Sequence, residues 1–569
     1  MNGWRKKNVP LKPIFGKTPL TELNSLPLRA GQIRMNNEAV KTVYDLVKND
    51  LPAHPERWEA AVRLSAVLNG DAEAASACIS DALKSQQEDG SFRERSLEDS
   101  LQIARAVWAL YEIKPDKAVL IQLMNWCAYL AANWDAFMAS RAIRVAGGDL
   151  MALLCDLYRV TGKKAVLNLC EKLRQEGMDW SGVLHTFSVQ RPMKRIIDRV
   201  DLETGMMAEE GNADGFYTRQ YLTCHGETLA DGARASLMSA VYSGNGREST
   251  AARTGWEKIA RWHGAVCGGV TADDTLAGGS PSAAVATAAA GAWAETFAAQ
   301  IVGKESAWAC DALETLLCNA MPAAIAEGGV MAYQRVNSIE ADCGTMACYF
   351  AKNDAAAALT RLARGYAATA SAAVTARPDG AQVNLYMPGQ YTMKVNGASF
   401  RLTMEGENGA YKLQVAASGS VKAALRLFVP GWAEDAFIQV NAEGGHEGHA
   451  GSYFTLEREW KNGDMITVEF ARKLRVVEGY HQSAAVMYGA QVMAFVPADT
   501  WSVALCGEPS VKEGKVVASF APVADWKQAG GVPVDLPVRP EQAGEVFEAE
   551  MVPYAQTKCR VAQFPRCKA

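Results

Sequence analysis

The stretch "TARPDGAQVNLYMPG", Thr375–Gly389, separates two kinds of sequence pattern. Before it, from about residue 37 to 373, apolar residues recur every three or four positions, and Gly, Pro or Asp marks the ends of each run. This spacing predicts successive amphipathic helices. After it, segments such as "SFRLTMEG" and "YKLQVAAS" alternate apolar and polar residues between turn formers, which is typical of antiparallel strands. The predicted fold class is therefore α followed by β.

The chain has 569 residues, which is too long for a single hydrophobic core. The helical part shows no tight sequence repeat, so we expect a closed toroid of paired helices rather than an open solenoid. The alternating segments predict a β-sandwich. We place the helical domain, with an N-terminal extension, at 1–375, the β-sandwich at 376–475, and a smaller C-terminal β region that packs on the others at 476–569.

Charge and hydropathy exclude two classes of partner. The chain has 58 basic and 63 acidic residues, a formal charge of −5, and lacks a basic tract long enough to follow phosphates, so nucleic acid is not expected. It also lacks an apolar run of signal-peptide or membrane-span length, so we expect a cytoplasmic protein with no membrane partner. The thirteen cysteines are odd in number and follow no repeating C-x-x-C pattern, which favours buried thiols over a disulfide framework.

Several phrases, in a consistent order, resemble the β-L-arabinofuranosidase family of glycoside hydrolases. They are "DDTLAGGSPS" (Asp273–Ser282), "CDALETLLCNAMPAAI" (Cys310–Ile325), "LRLFVPGWAEDAFIQVN" (Leu425–Asn441), "REWKNGD" (Arg458–Asp464) and "VPYAQTKCRVAQFP" (Val552–Pro565). The resemblance implies an (α/α)6 barrel followed by β-sandwich domains. It also implies a small saccharide or glycoside as the ligand.

The resemblance further implies that the catalytic residues of the family have changed in this chain. The family holds zinc with one glutamate and three cysteines, one of which is also the nucleophile, and a second glutamate is the acid/base. Zinc keeps a thiolate deprotonated, and a carboxylic acid protonates the departing oxygen. Aligned on "DDTLAGGSPS", this chain has Ala286 and Ala288 at the Glu-x-Cys ligand positions. We therefore expect no cofactor.

A carboxylate mechanism is the enzymatic alternative. Asp274 occupies the position of an acid/base-like glutamate of the family, and Asp273 stands beside it; neighbouring carboxylates raise one another's pKa, as a general acid requires. The same two residues also fit a turn or a loop cap. A second carboxylate, which is Glu227 or one of Glu209 and Glu210, would activate water.

The candidate substrate-binding residues are aromatic, imidazole and thiol side chains near these acids. The resemblance places His225 and Glu227 at the start of a barrel helix, where they would contact a sugar. The other candidates, each of which also fits a structural role, are His263, Cys267, Trp262 and His185.

Zinc remains possible if a rearranged site exists. Cys343 and Cys348 form a C-x4-C pair, which with the preceding Glu340 or Asp342 makes a candidate ligand set. A rearranged site could also use Cys267 together with an acid.

Two functions of different class therefore follow from the sequence. The first is a glycoside hydrolase that acts on a small saccharide or glycoside without the zinc–cysteine site. The alternative is a catalytically inactive carbohydrate-binding protein, or a subunit that partners an active homologue, since a fold does not guarantee a function. A homo-oligomer is compatible with either.

Overall fold

The structure is a computed structural model that describes residues 26–92, 95–140, 142–192, 223–273, 275–303, 306–338, 354–497, 502–523, 528–529, 532–533 and 538–567. As the sequence predicts, a helix-rich N-terminal part is followed by a β-sheet-rich C-terminal part. The change falls between Ala373, the last residue of a long helix, and Val374, the first residue of a strand. None of the helices in the described ranges combines the length and apolar character that a membrane crossing requires.

The described helices are α1 (Glu38–Val47), α2 (Trp58–Asn69), α3 (Ser76–Lys84), α4 (Leu97–Ile113), α5 (Lys117–Ala132), α6 (Trp134–Ala139), α7 (Gly148–Thr161), α8 (Lys164–Glu176), α9 (Trp180–Thr186), α10 (Gly226–Ser243), α11 (Gly246–His263), α12 (Thr287–Gly303), α13 (Ala307–Cys318), α14 (Ala320–Ala323) and α15 (Asp354–Ala373). Polar side chains begin several of them: Asn37, Ser96 and Asp116 each accept a hydrogen bond from a backbone N–H in the first turn. Such caps satisfy backbone groups that the helix itself leaves free.

Six of the described helices form a closed ring. In the order α2, α4, α7, α10, α12 and α15, each contacts the next, and α15 returns to contact α2. Helices α5, α8, α11 and α13 each pack on the ring helix that precedes them in the chain. The α12–α15 contact is especially close, because a Cβ at Gly291 would stand 2.3 Å from the Arg361 carbonyl oxygen. Glycine at this crossing therefore allows α15, the last ring helix, to pack closely against α12.

Three sheets make up most of the C-terminal part. In spatial order, the five-stranded sheet is β1 (Leu26–Pro27), β9 (Val374–Arg377), β10 (Gly380–Val383), β14 (Val421–Val429) and β17 (Ser452–Trp460). The seven-stranded sheet is β16 (Glu443–Glu447), β15 (Ala433–Val440), β18 (Met465–Arg472), β13 (Ala410–Ala417), β12 (Ala398–Glu407), β11 (Gly389–Val395) and β2 (Ile33–Arg34). The six-stranded sheet is β19 (Leu474–Glu478), β20 (Ala484–Tyr488), β21 (Gln491–Ala494), β26 (Phe547–Pro553), β23 (Lys515–Pro522) and β22 (Val503–Lys512).

Short two-stranded pairings complete the described strands. They are β3 (Ala272–Asp273) with β4 (Thr275–Leu276), β5 (Ala284–Ala286) with β8 (Tyr333–Arg335), β6 (Ile325–Ala326) with β7 (Gly329–Val330), and β24 (Gln528–Ala529) with β25 (Val532–Pro533). Strands β1 and β2, which precede all the helices, pair with β9 and β11 of the C-terminal sheets. Strands β1 and β2 therefore belong to the C-terminal sheets, although they precede the helices in the chain.

Alternating burial explains why the long strands form. In β12, Phe400, Leu402 and Met404 are buried, whereas Arg401 between them is exposed, so one face of the strand packs inward. Buried residues of the helices and of the five- and seven-stranded sheets form one continuous hydrophobic cluster, while the six-stranded sheet has a cluster of its own. The five- and seven-stranded sheets and the helices thus share a core.

Two of the phrases that carry the family resemblance meet where the helical and β-rich parts contact each other. The carboxylate of Asp311, on α13, accepts a hydrogen bond from the Gly431 backbone N–H at 2.8 Å. One turn later, Glu314 accepts a hydrogen bond from the Trp432 indole N–H at 2.6 Å. The Asp-x-x-Glu spacing therefore places two carboxyl groups on one helix face, where they hold the Pro-Gly-Trp turn.

The Glu314 carboxyl makes stability depend on pH. Burial raises its pKa from 4.5 to about 8, despite the opposing hydrogen bond from Trp432. A group with a raised folded-state pKa stabilises the fold fully below its unfolded-state pKa, and this contribution is lost as the pH rises through the folded value. We expect the denaturation temperature to fall between about pH 4.5 and about pH 8. Glu314→Gln should flatten this slope, whereas Glu405→Gln, at an exposed position, should leave it unchanged. Equal slopes in all three proteins would contradict the assignment.

Candidate functional site

A cavity of about 80 Å³ lies at the N-terminal ends of three ring helices. We call it the amino-end cavity. Its walls come from the starts of α10, α12 and α15 and from the short strands β3, β5 and β8. The lining residues are His225, Gly226, Glu227, Ala272, Ala286, Ala288, Ala289, Ala332, Tyr333, Ala357 and Ala358.

His225 is held in place by the start of helix α10. It is the residue before the first helical position, and its Nδ1 accepts a hydrogen bond from the Thr228 backbone N–H at 3.4 Å. The same Nδ1 lies 3.1 Å from the Thr228 hydroxyl. A backbone bridge between His225 and Thr275 ties this helix start to the β3–β4 hairpin. The structure therefore brings His225 to the cavity, where the sequence resemblance predicted a sugar contact.

Glu227 stands two residues further on and is an ionised carboxylate. Its side chain is 22% exposed, and the Nε of Arg361 donates a hydrogen bond to its Oε1. Burial opposes ionisation, but the Arg361 guanidinium, with help from His225, outweighs it and lowers the pKa of the Glu227 carboxyl. A carboxylate in this state is deprotonated at neutral pH and can accept hydrogen bonds.

The residues that the sequence resemblance aligns with the family's zinc ligands do not fit a metal. Ala286 and Ala288 both line the amino-end cavity, and a methyl group has no lone pair for a metal. Across the ranges that the structure describes, no group of three His, Cys, Asp or Glu side chains lies close enough to share an ion. The candidate ligands Cys343 and Cys348, with Glu340 and Asp342, lie outside the described residues.

One of the two predicted aspartates, Asp273, directly follows a cavity residue in the chain. Ala272 lines the cavity, and Asp273 follows it in β3, where it pairs in register with Thr275 of β4. Asp274 lies outside the described residues, as do Glu209 and Glu210. The β3–β4 hairpin therefore begins at the cavity wall.

His263 and Cys267 are fully buried and do not line the cavity. The His263 Nε2 lies 3.0 Å from the Val189 carbonyl oxygen, and its Nδ1 accepts a hydrogen bond from the Gly278 N–H at 3.0 Å. Burial lowers the pKa of this imidazole and raises the pKa of the Cys267 thiol. In the structure both residues have the surroundings of structural groups.

Trp262 and His185 also stand apart from the amino-end cavity. The guanidinium of Arg261 lies 5.0 Å from the centre of the Trp262 ring. The His185 Nε2 lies 2.9 Å from the Arg247 carbonyl oxygen, which joins α9 to α11. Six of the predicted catalytic and binding residues have described side chains. Of these six, His225 and Glu227 line the amino-end cavity, and the other four do not.

A buried set of charges along the ring axis was not predicted from the sequence. We call it the axial charge network, and every ring helix contributes to it. Its members are Glu59 and Arg63 (α2), Arg105 (α4), Asp149 (α7), Glu227, Asp231 and Arg234 (α10), Glu295 (α12), and Arg361 and Arg364 (α15).

The contacts of Glu295 show how closely the network is paired. Its carboxylate lies 2.8 Å from Nη1 of Arg234, 2.8 Å from Nη2 of Arg364 and 3.2 Å from Nη1 of Arg361. Burial opposes ionisation, but these guanidinium groups outweigh it and lower the pKa of Glu295 to about 2. Arg361 in turn donates to Asp231 at 2.6 Å and to Glu227, so the network reaches the amino-end cavity.

A second cavity, of about 230 Å³, lies beyond the network. Glu59, Arg105, Arg234, Glu295 and Arg364 line it, and so do apolar residues from the C-terminal halves of α10, α12 and α15. These apolar residues include Leu237, Met238, Val241, Ala298, Val302, Ala367 and Ala368. The axial charge network therefore separates two cavities at opposite ends of the ring.

Comparison with known proteins agrees with the sequence resemblance. Residues 380–472 match the family model of the β-L-arabinofuranosidase GH127 middle domain. A comparison with curated proteins finds no match.

Three solved structures share the fold over nearly the whole chain. A structure described as a glycoside hydrolase aligns with a TM-score of 0.71 and 14% identity, covering 96% of this chain and 100% of that one. A GH127 β-L-arabinofuranosidase from Geobacillus stearothermophilus T6 aligns at 0.68 and 15% identity, covering 94% and 100%. A GH127 β-arabinofuranosidase aligns at 0.66 and 14% identity, covering 96% and 98%. The resemblance inferred from the sequence is thus confirmed: the chain has the fold of the solved GH127 structures, and residues 380–472 match the model of the GH127 middle domain.

Proposed function

We propose that this protein is a glycoside hydrolase that acts on a small saccharide or glycoside bound in the amino-end cavity. The observation that carries the proposal is that an ionised carboxylate, Glu227, and an imidazole, His225, share that cavity. The fold, common to this chain and GH127 enzymes, supports it. We further propose that the six-helix ring is the inner layer of an (α/α)6 barrel, and that the five- and seven-stranded sheets form a β-sandwich.

The proposed chemistry uses carboxyl groups of this chain alone. Glu227 removes a proton from a water molecule, which attacks the anomeric carbon of the sugar. An aspartic acid from the Asp273–Asp274 pair protonates the departing glycosidic oxygen, so the bond breaks without leaving a charged alkoxide. His225 donates or accepts a hydrogen bond at a sugar hydroxyl.

A substrate screen tests the proposal. The purified full chain is incubated with 4-nitrophenyl furanosides and pyranosides in both anomeric configurations, and nitrophenol release is followed. We expect turnover of at least one glycoside and its loss in Asp274→Asn. Asp435→Asn, an exposed position in the β-rich part, is the matched control and should retain the rate. A chain that cleaves none of these glycosides would contradict a hydrolase.

Metal removal separates this mechanism from that of the family. Because Ala286 and Ala288 offer no ligand in the cavity, we expect dialysis against a chelator to leave the rate unchanged. Zinc content, measured on the same samples, should be well below one equivalent. Loss of turnover on chelation, with recovery on adding zinc, would instead indicate a rearranged site built with Cys343, Cys348 and Cys267.

A second candidate function is saccharide binding without catalysis, alone or as the partner subunit of an active homologue. The observation that favours it is that methyl groups replace the family's ligands while Arg361 pairs with the remaining carboxylate. Calorimetric titration with the same glycosides discriminates the two. Saturable binding with no cleavage, or co-purification with a homologue that retains the ligands, would support the second candidate.

A further inference from the structure

Two cysteines lie side by side in the six-stranded sheet region. Cys506 is on β22, and Cys567 is in the segment that follows β26. The backbones around them are directly hydrogen-bonded: the Leu505 N–H donates to the Pro565 carbonyl at 2.8 Å, and the Cys567 N–H donates to the Leu505 carbonyl at 3.0 Å. Backbone pairing therefore holds the two residues next to each other.

The two sulfur atoms are 2.8 Å apart. A disulfide bond is roughly 2.05 Å long, so the thiols need to move by less than an ångström to become bonded. Both side chains are partly exposed, which gives a small oxidant access to them. We propose that Cys506 and Cys567 are a redox-active pair that closes to a disulfide.

The bond forms by thiol–disulfide exchange with a low-molecular-weight disulfide such as glutathione disulfide. The thiolate of one cysteine attacks a glutathione sulfur, forms a mixed disulfide and releases one glutathione thiolate. The thiolate of the other cysteine then attacks the protein sulfur of the mixed disulfide and releases the second glutathione. The protein loses two electrons and two protons, and the oxidant gains them. Burial and contact with Cys567 raise the pKa of Cys506 to about 12, so we expect slow closure.

Closure would fix the segment before Cys567 to residues that lie a few positions beyond the cavity-lining strand β8. The segment before Cys567 pairs with the helical part: the Arg560 N–H donates to the Ser338 carbonyl at 2.7 Å, and the Ala562 N–H donates to the Asn337 side chain at 2.9 Å. These two residues follow β8, whose Tyr333 lines the cavity. A disulfide reduces the freedom of the unfolded and locally opened chain, so oxidation would hold this contact closed.

Mass spectrometry of the native chain tests the proposal. The protein is incubated with glutathione disulfide, blocked with N-ethylmaleimide and digested. We expect one peptide that links Cys506 to Cys567, two fewer titratable thiols than the thirteen of the reduced chain, and reversal by dithiothreitol. Cys155 and Cys170 also interact, but both are fully buried, so they should remain thiols. The oxidised form should denature several degrees above the reduced form.

Two cysteine variants test which residues form the disulfide. Cys567→Ser should abolish both the linked peptide and the difference in denaturation temperature, whereas Cys78→Ser, at a partly exposed cysteine on α3, should retain both. Glutathione adducts on Cys506 or Cys567 without a linked peptide would overturn the proposal, and so would thirteen free thiols after prolonged oxidation. The mass-spectrometric comparison of the oxidised and reduced native chain does not depend on any variant. The proposal therefore stays testable even if a variant folds poorly.

Discussion

Replacing Glu295 with glutamine is expected to lower the free energy of unfolding by about 3–5 kcal/mol. The change removes one negative charge from a site where Arg234, Arg361 and Arg364 all contact the carboxylate. These guanidinium groups are almost fully buried and would keep their charge with too few partners. An uncompensated buried charge is the costly outcome, because water no longer solvates it. Urea unfolding, followed by circular dichroism, measures the loss.

The matched control for this prediction is an exposed ion pair. Glu257 is 58% exposed and pairs with Arg253 one turn away at 2.8 Å. Glu257→Gln should change the free energy of unfolding by no more than about 0.5 kcal/mol, since exposed pairs contribute little. Similar losses in the two variants would show that burial along the ring axis does not govern the cost.

Replacing Glu227 with glutamine is expected to reduce kcat by roughly 10²- to 10⁴-fold, the usual contribution of a general base. The amide keeps the shape of the side chain but no longer accepts the proton of water. Because the pKa of Glu227 is lowered, the rate of the unmodified enzyme should decline on the acid side only below pH 4.5, where this carboxylate gains a proton. Steady-state rates across pH on the best glycoside of the screen measure both effects.

The control for this prediction is a substitution that removes a buried ion pair at a residue outside the cavity. Glu248 meets this need, because it is similarly buried and accepts a hydrogen bond from Arg174 at 2.6 Å. Glu248→Gln should lower stability and retain kcat. If both variants keep the full rate at a temperature where they are folded, the base is another carboxylate, with Glu209 and Glu210 as the next to replace.

The fold was predictable where its signal is local. Period 3.6 before Thr375 and period 2 after it are properties of neighbouring residues, and the structure changes from helix to strand at Ala373–Val374. The pairing of β1 and β2 with the C-terminal sheets was not predictable in this way. Each strand has two residues, so neither shows a period, and their partners lie more than three hundred positions away.

The residues of the candidate site could be named from the sequence only in part. His225 and Glu227 became candidates because the family resemblance places them at the start of a barrel helix, and in the structure both line the cavity. The sequence gives little indication of the axial charge network. One indication is Arg105, a charged residue within the apolar run "LQIARAVWAL". A charge inside an apolar run indicates that a buried partner exists. It does not identify that partner, because the partner lies on a different helix.

The axial charge network also bears on how the chain is made. Helices α2 to α12 carry the acids Glu59, Asp149, Glu227, Asp231 and Glu295, but within the network they supply only Arg63, Arg105 and Arg234 as cations. The two remaining cations, Arg361 and Arg364, come with α15, the last ring helix in the chain. During synthesis on the ribosome, the network residues of the earlier helices therefore emerge with more acids than cations, which favours their hydration over docking. We therefore expect the buried acids of the ring to become fully paired only after Arg361 and Arg364 have left the exit tunnel.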